Sequence, residues 1–170
     1  MSESLSITLT ETHGEGIGLL LPILWEAFAS TGRASPEAEG ISCLPPEEMV
    51  RRLVSRRDVV TYEIALAGAL AGGAILTIDP AGERNTLEFF FLRPKLHGRG
   101  VGSRVWQMIE ARYPNTRVWE TETPAFARRN IDFYTKRCGF VLTGRYRYPH
   151  HAGGRGPEEM CRLEKRISAR

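Results

Sequence analysis

The sequence is short of cysteine, of net charge and of long apolar runs, and each shortage closes off a class of protein. Three cysteines, Cys43, Cys138 and Cys161, share no CxxC or other metal-ligand spacing, and their odd number cannot pair fully. They read as reduced thiols, which points to the cytoplasm. A formal charge of +3, from 23 basic against 20 acidic residues, is too slight to imply nucleic acid. The longest apolar run, "GIGLLLPILW", falls short of a membrane span, and "MSESLSITLT" has no basic stretch leading into an apolar one. Neither a membrane partner nor a secretory leader is expected.

What is present suits a globular enzyme-sized unit. The chain has 170 residues, 42% hydrophobic and 25% charged, enough for one domain over 1–170 that buries its core without disulfide or metal. "LSITLTET" alternates like a half-buried strand, and "GLLLPILWEAFAS" carries apolar residues at helical spacing around Pro22. Residues 30–45 are rich in Ser, Pro and Gly and read as a connector, before a short helix in "PPEEMVRRLVSRRD". "VVTYEIAL", "LAGGAILTID" and "NTLEFFFLR" suggest an antiparallel meander, with Gly72 and Gly73 marking a bulge. "VGSRVWQMIEARY" is an amphipathic helix stopped near Pro114, and "TRVWETET" is a strand. "PAFARRNIDFYTKRCG" is a helix with Pro124 at its N-terminal end and Gly139 at its C-terminal end. "FVLTGRYRY" and "EMCRLEKRI" close the chain as strands, joined by a loop at 148–157. The order is βααβββαβαββ, with no internal repeat.

The stretch "LHGRGVGSR" asks for an explanation, because glycines at alternate positions are costly within a fold. A strand, a glycine-rich turn and a helix form an anion cradle: N–H groups unpaired at the helix start point at the anion, and the helix dipole favours it. A dinucleotide fingerprint fits badly, since Ser103 stands where its third glycine belongs, although Glu120 lies near the place of its ribose-binding acid. A Walker loop is absent. A turn whose glycines serve only backbone geometry is the plain alternative.

Two segments, in order, resemble the GNAT superfamily of acyl-CoA-dependent N-acetyltransferases. The family's pyrophosphate loop runs Gln or Arg, two residues, Gly, one residue, then Gly or Ala; here His97, Gly98, Arg99, Gly100, Val101 and Gly102 take those places after "FFLRP". His97 departs from the usual Gln or Arg. "RRNIDFYTKRCGF" is similar to the family's second motif, with Asn130, Phe133, Tyr134, Gly139 and Phe140 at matching positions. The resemblance runs from about Gly72 to Thr143 and implies a single-domain α/β (α+β) fold. In that fold a central, mixed, mostly antiparallel twisted sheet of about seven strands is flanked by about four helices.

Acetyl-CoA as cosubstrate follows from the resemblance, with no metal. Gly98 to Ser103 would hold the pyrophosphate through backbone N–H groups, with Arg99 and Arg104 adding charge. By resemblance, the backbone of Phe91, Leu92 and Arg93 would pair with pantetheine and polarise the thioester carbonyl. Tyr134 would protonate the departing thiolate, since a phenol of pKa about 10 can donate to a thiolate whose thiol lies at about 8.5 or above. Asn130, one turn earlier, would reach the cofactor's amide-rich arm, or else face water. An aliphatic amine is protonated at neutral pH, so a base is needed; Glu88 in "TLEFFFL" is the candidate, with an arginine ion pair as its other reading. Glu120 and Glu122 share one strand face and either bind a cationic acceptor or line a solvated edge.

The acceptor stays open: a primary amine on a small molecule, or a protein such as a ribosomal N-terminus. A binding module that kept the cradle and lost the chemistry is the non-enzymatic alternative, hinted at by His97 and opposed by Tyr134 and Glu88. His150, His151 and Cys161 lack regular zinc spacing. Homodimerisation is a family expectation only.

Overall fold

The computed structural model describes residues 5–31, 44–147 and 159–168. The loop at 148–157, Cys43 and most of the 30–45 connector lie outside the described residues. A seven-stranded sheet in the order β1-β2-β3-β4-β5-β7-β6 organises the rest. Its strands are β1 (Ile7–Thr12), β2 (Val59–Leu66), β3 (Ala69–Thr77), β4 (Arg84–Leu92), β5 (Val118–Pro124), β6 (Val141–Arg147) and β7 (Glu159–Arg166). Every neighbouring pair is antiparallel except β4 with β5. The parallel pair follows from the connection: α3 (Val101–Arg112) carries the chain back across the sheet between them.

Helices cover both faces because β3 and β4 are apolar on both sides. Ile75 and Phe91 pack against α1 (Ile17–Thr31) and α2 (Glu47–Val54), in a core with Leu20, Leu24 and Val50. Ala74, Leu76 and Leu87 face the opposite core, with Val105, Trp106 and Ile109 of α3 and with Tyr134. Neighbouring strand residues thus serve different layers, as period-two geometry requires. α1 runs on through Pro22 although proline removes an intrahelical donor; its buried face holds the turn in place.

Three details differ from the sequence reading. Gly72 and Gly73 pair in regular register, and the extra residue in β3 is Ala71 beside them. Their missing side chains serve close approach: a Cβ on Gly72 would lie 2.1 Å from the Phe91 carbonyl oxygen, and one on Gly73 would lie 2.7 Å from the Phe91 ring. Pro124 ends β5, and α4 begins later, at Arg128, as a short turn (Arg128–Asp132) that widens into a π-helical turn over Phe133–Arg137. The wide turn is visible in Cys138 N–H donating to the Phe133 carbonyl over 3.1 Å.

Candidate active site

β4 and β5 pair only from Arg84–Val118 to Leu87–Thr121 and then part. The parting begins at a bulge. Ile75 faces Phe89 and Leu76 faces Leu87, so Glu88 is the extra residue, and a bulged strand bends away from its neighbour. The result is a cleft of about 1490 Å³ between the two strands, reaching from the start of α3 to the α1 and α2 side.

One wall of the cleft is the open edge of β4. The Arg93 N–H donates to Ala71 over 2.8 Å, so alternation turns Phe91 and Arg93 toward β3, and Phe90 and Leu92 toward the cleft. The Arg93 side chain leaves the site altogether: Nε donates to the Leu70 carbonyl over 3.0 Å, and the guanidinium lies 3.7 Å from the Glu26 carboxylate. Phe90 was missed in the sequence because only pairing register reveals which backbone groups are unspent.

After β4 the chain makes a tight turn over Pro94–Leu96 and reaches the glycines. Gly98 and Gly100 adopt φ of +74° and +77°, a left-handed conformation that other residues resist. Beyond the chain neighbours no atom lies within 4 Å of where a Cβ on either would stand, so the loop is open. Gly102 is different in kind: a Cβ there would meet the Phe133 ring at 2.9 Å, and that ring stacks on Phe90 with centroids 5.7 Å apart. The first helical bond of α3 runs from Arg104 N–H to Gly100, and no side chain caps the start. The N–H groups of Val101, Gly102 and Ser103 are therefore without intrahelical partners. Bare glycines and uncapped donors fit a diphosphate in both charge and room. Val101 is buried in the core and contributes backbone alone, whereas Arg99 is exposed.

His97 ties this loop to the strand. Its Nε2–H donates to the Leu92 carbonyl over 3.0 Å. Burial lowers its pKa below the ordinary 6.5, the Leu92 carbonyl opposes this, and the charge of Arg129 adds to the lowering. The ring is thus neutral at pH 7.

The opposite wall comes from β5 and α4. Tyr134 is buried, its ring against Phe133 and Phe140, and it reaches the cleft beside Thr121. Burial raises its pKa well above the ordinary phenol, the nearby Cys138 thiol adds to this, and the Thr121 hydroxyl opposes it. Cys138 is itself pushed up to about 12 by burial and stays a thiol. Asn130 lines the same wall, with its amide donating to the Thr123 hydroxyl over 3.3 Å.

Glu88 lies on the α1 and α2 side and accepts a 2.7 Å hydrogen bond from the Thr77 hydroxyl. Glu120 and Glu122 line the cleft too, but both hold cations already. Glu120 pairs with Arg84, and Glu122 accepts from Arg162 Nε over 3.0 Å and from the Tyr146 hydroxyl over 2.6 Å. Among the described residues no three His, Cys, Asp or Glu side chains form a metal-sized cluster, and Cys161 is buried in β7. No described helix is long and apolar enough to cross a membrane.

A mixed sheet that splays between two parallel strands and meets an uncapped helix start defines an α/β fold with an anion-accepting cleft. Residues 22–140 match the model of the Acetyltransferase (GNAT) family, and the chain belongs to that family. A Bacillus subtilis (strain 168) protein, uncharacterized protein YrkN, is 37% identical over 117 residues; the match spans 66% of this chain and 63% of that relative's length. The fold is similar to that of the PaiA N-acetyltransferase from Thermoplasma acidophilum in complex with coenzyme A. The TM-score there is 0.69 at 18% identity, over 95% of this chain and 99% of that one. It is also similar to the ribosomal-protein-S18-alanine N-acetyltransferase from Escherichia coli, with a TM-score of 0.64 at 17% identity over 97% and 96% of the two chains. At such identities the likeness is one of fold.

Proposed function

We propose that the chain, acting as one domain over 1–170, is an acetyl-CoA-dependent N-acetyltransferase that acetylates a primary amine of a small molecule by direct attack in a ternary complex. One observation carries the reading: a single continuous cleft joins an uncapped helix start, an open strand edge, a buried phenol and a carboxylate. Transfer from a thioester to an amine needs those parts, for holding the cosubstrate, polarising its carbonyl, protonating the leaving group and deprotonating the acceptor.

Acetyl-CoA supplies the acetyl group as a thioester. The N–H groups of Val101, Gly102 and Ser103 hold the diphosphate, and the open edge at Phe90 and Leu92 supports the pantetheine and carbonyl. Glu88 takes one proton from the ammonium. As the C–N bond forms and the C–S bond breaks, Tyr134 gives its proton to sulfur and is replenished by the second proton the nitrogen loses. One proton per turnover reaches solvent through Glu88. Burial keeps Tyr134 protonated until the thiolate appears. A protonated Cys138 offers no nucleophile for a covalent route. The free thiols of Cys138 and Cys161 support a reducing, cytoplasmic setting.

Calorimetric titration is the test, with acetyl-CoA against NADH as control, followed by thiol release with amines. Saturable binding of acetyl-CoA alone is expected; binding of NADH alone would overturn the reading.

A further inference from the structure

On its α1 and α2 side the cleft is walled by apolar side chains. Phe28, Leu44, Met49, Leu53 and Phe89 line it, and Phe28 meets Phe89 edge-on with ring centroids 5.9 Å apart. Leu44 and Met49 stay 39% and 41% exposed at the rim. The wall is braced, since the Trp25 indole donates to the Pro45 carbonyl over 3.2 Å and fixes the segment next to Leu44 onto α1. Leu44 and Met49, left partly in water beside the Glu88 carboxylate, gain from a ligand that covers them.

Most carboxylates on the cleft wall are paired. Glu120, Glu122, Asp132 and Glu164 each have a cationic partner within 4.0 Å. Glu88 differs: among the described residues it has no ion-pair partner within 4.0 Å, its hydrogen-bond donor is the neutral Thr77 hydroxyl, and Arg56, which feels its charge from farther off, is paired with Asp58 at 2.5 Å. The bulge is what puts Glu88 here, on the same side as Phe89. Arg145 and Arg162 line the cleft farther along β6 and β7.

From this we infer that the acceptor is a primary monoamine on an aromatic or branched apolar body, its one ammonium at Glu88 and its body against Phe28, Met49 and Phe89. The inference rests on the acetyltransferase reading above. A polyamine would leave its second ammonium against hydrocarbon or against Arg145 and Arg162, where nothing replaces the lost water.

The test measures thiol release by the full chain with acetyl-CoA and, in turn, 2-phenylethylamine, ethanolamine, spermidine and a short peptide with a free N-terminus. The kcat/KM for 2-phenylethylamine should exceed that for ethanolamine about thirtyfold, the effect of burying a phenyl group. It should exceed spermidine and the peptide as well. Met49→Glu, at a position exposed enough that folding is not at stake, should lower the 2-phenylethylamine value about tenfold and narrow its lead over spermidine, with acetyl-CoA affinity unchanged. A preference for spermidine, ethanolamine or the peptide overturns the inference and leaves the acetyltransferase reading standing, as does a Met49→Glu enzyme with unaltered ratios. Failure of acetyl-CoA to bind overturns both.

Discussion

At Tyr134 one oxygen separates a packing role from a chemical one. Tyr134→Phe keeps the ring contacts with Phe133 and Phe140 and removes only the hydroxyl proposed as proton donor. The kcat should fall about a hundredfold with little change in acetyl-CoA affinity, in single-turnover and calorimetric measurements. An unchanged kcat would leave Tyr134 as packing. His97 yields a prediction of another kind, because burial lowers its pKa from 6.5. Between the lowered value and 6.5 the unfolded chain binds more protons, so the His97 contribution is fully present above 6.5 and is lost as pH falls through that window. Melting curves should lose more stability from pH 7 to pH 5 in the natural protein than in His97→Gln, whose amide can still donate to Leu92; parallel curves would count against this. Residue identity alone did not disclose the state of Glu120 and Glu122. Their cations, Arg84 and Arg162, are 36 and 40 residues away and arrive only through strand pairing.

The start of α3 is the element where sequence and structure agree most closely, because left-handed glycines and an uncapped helix are local features. Its test separates charge from shape. Gly100→Asn tolerates the φ of +77° and adds no charge, whereas Gly100→Asp places a carboxylate at the proposed diphosphate site. Titration should show acetyl-CoA held about tenfold more weakly by Asp than by Asn, and equal affinities would move the diphosphate elsewhere. β4 is the contrasting case. Its run of phenylalanines announces a strand, but its bulge at Glu88 depends on register with β3, so the sequence did not show which of its backbone groups are open.

At the scale of the molecule, a ligand that bridges β4, α3 and α4 holds the two splayed halves of the sheet together. Acetyl-CoA at a hundred times its Kd should stabilise the fold by about 2.7 kcal/mol. For a chain of 170 residues this is a rise in Tm of about 5–10 °C by scanning calorimetry, with NADH giving none. No shift at saturation would mean that the cosubstrate does not engage those elements.

By itself the sequence determined the order of strands and helices, the glycine loop and the Asn130 to Phe140 segment, because each is written in local periodicity or in short-range turn chemistry. Tertiary structure decided which cleft carboxylate has no ion-pair partner within 4.0 Å among the described residues, which edge of β4 is open, and that the last turn of α4 widens where Tyr134 stands near Thr121. The first two outcomes depend on register between paired strands, where a one-residue shift from a bulge changes which groups face the cleft, and the third on how the helix packs against the sheet.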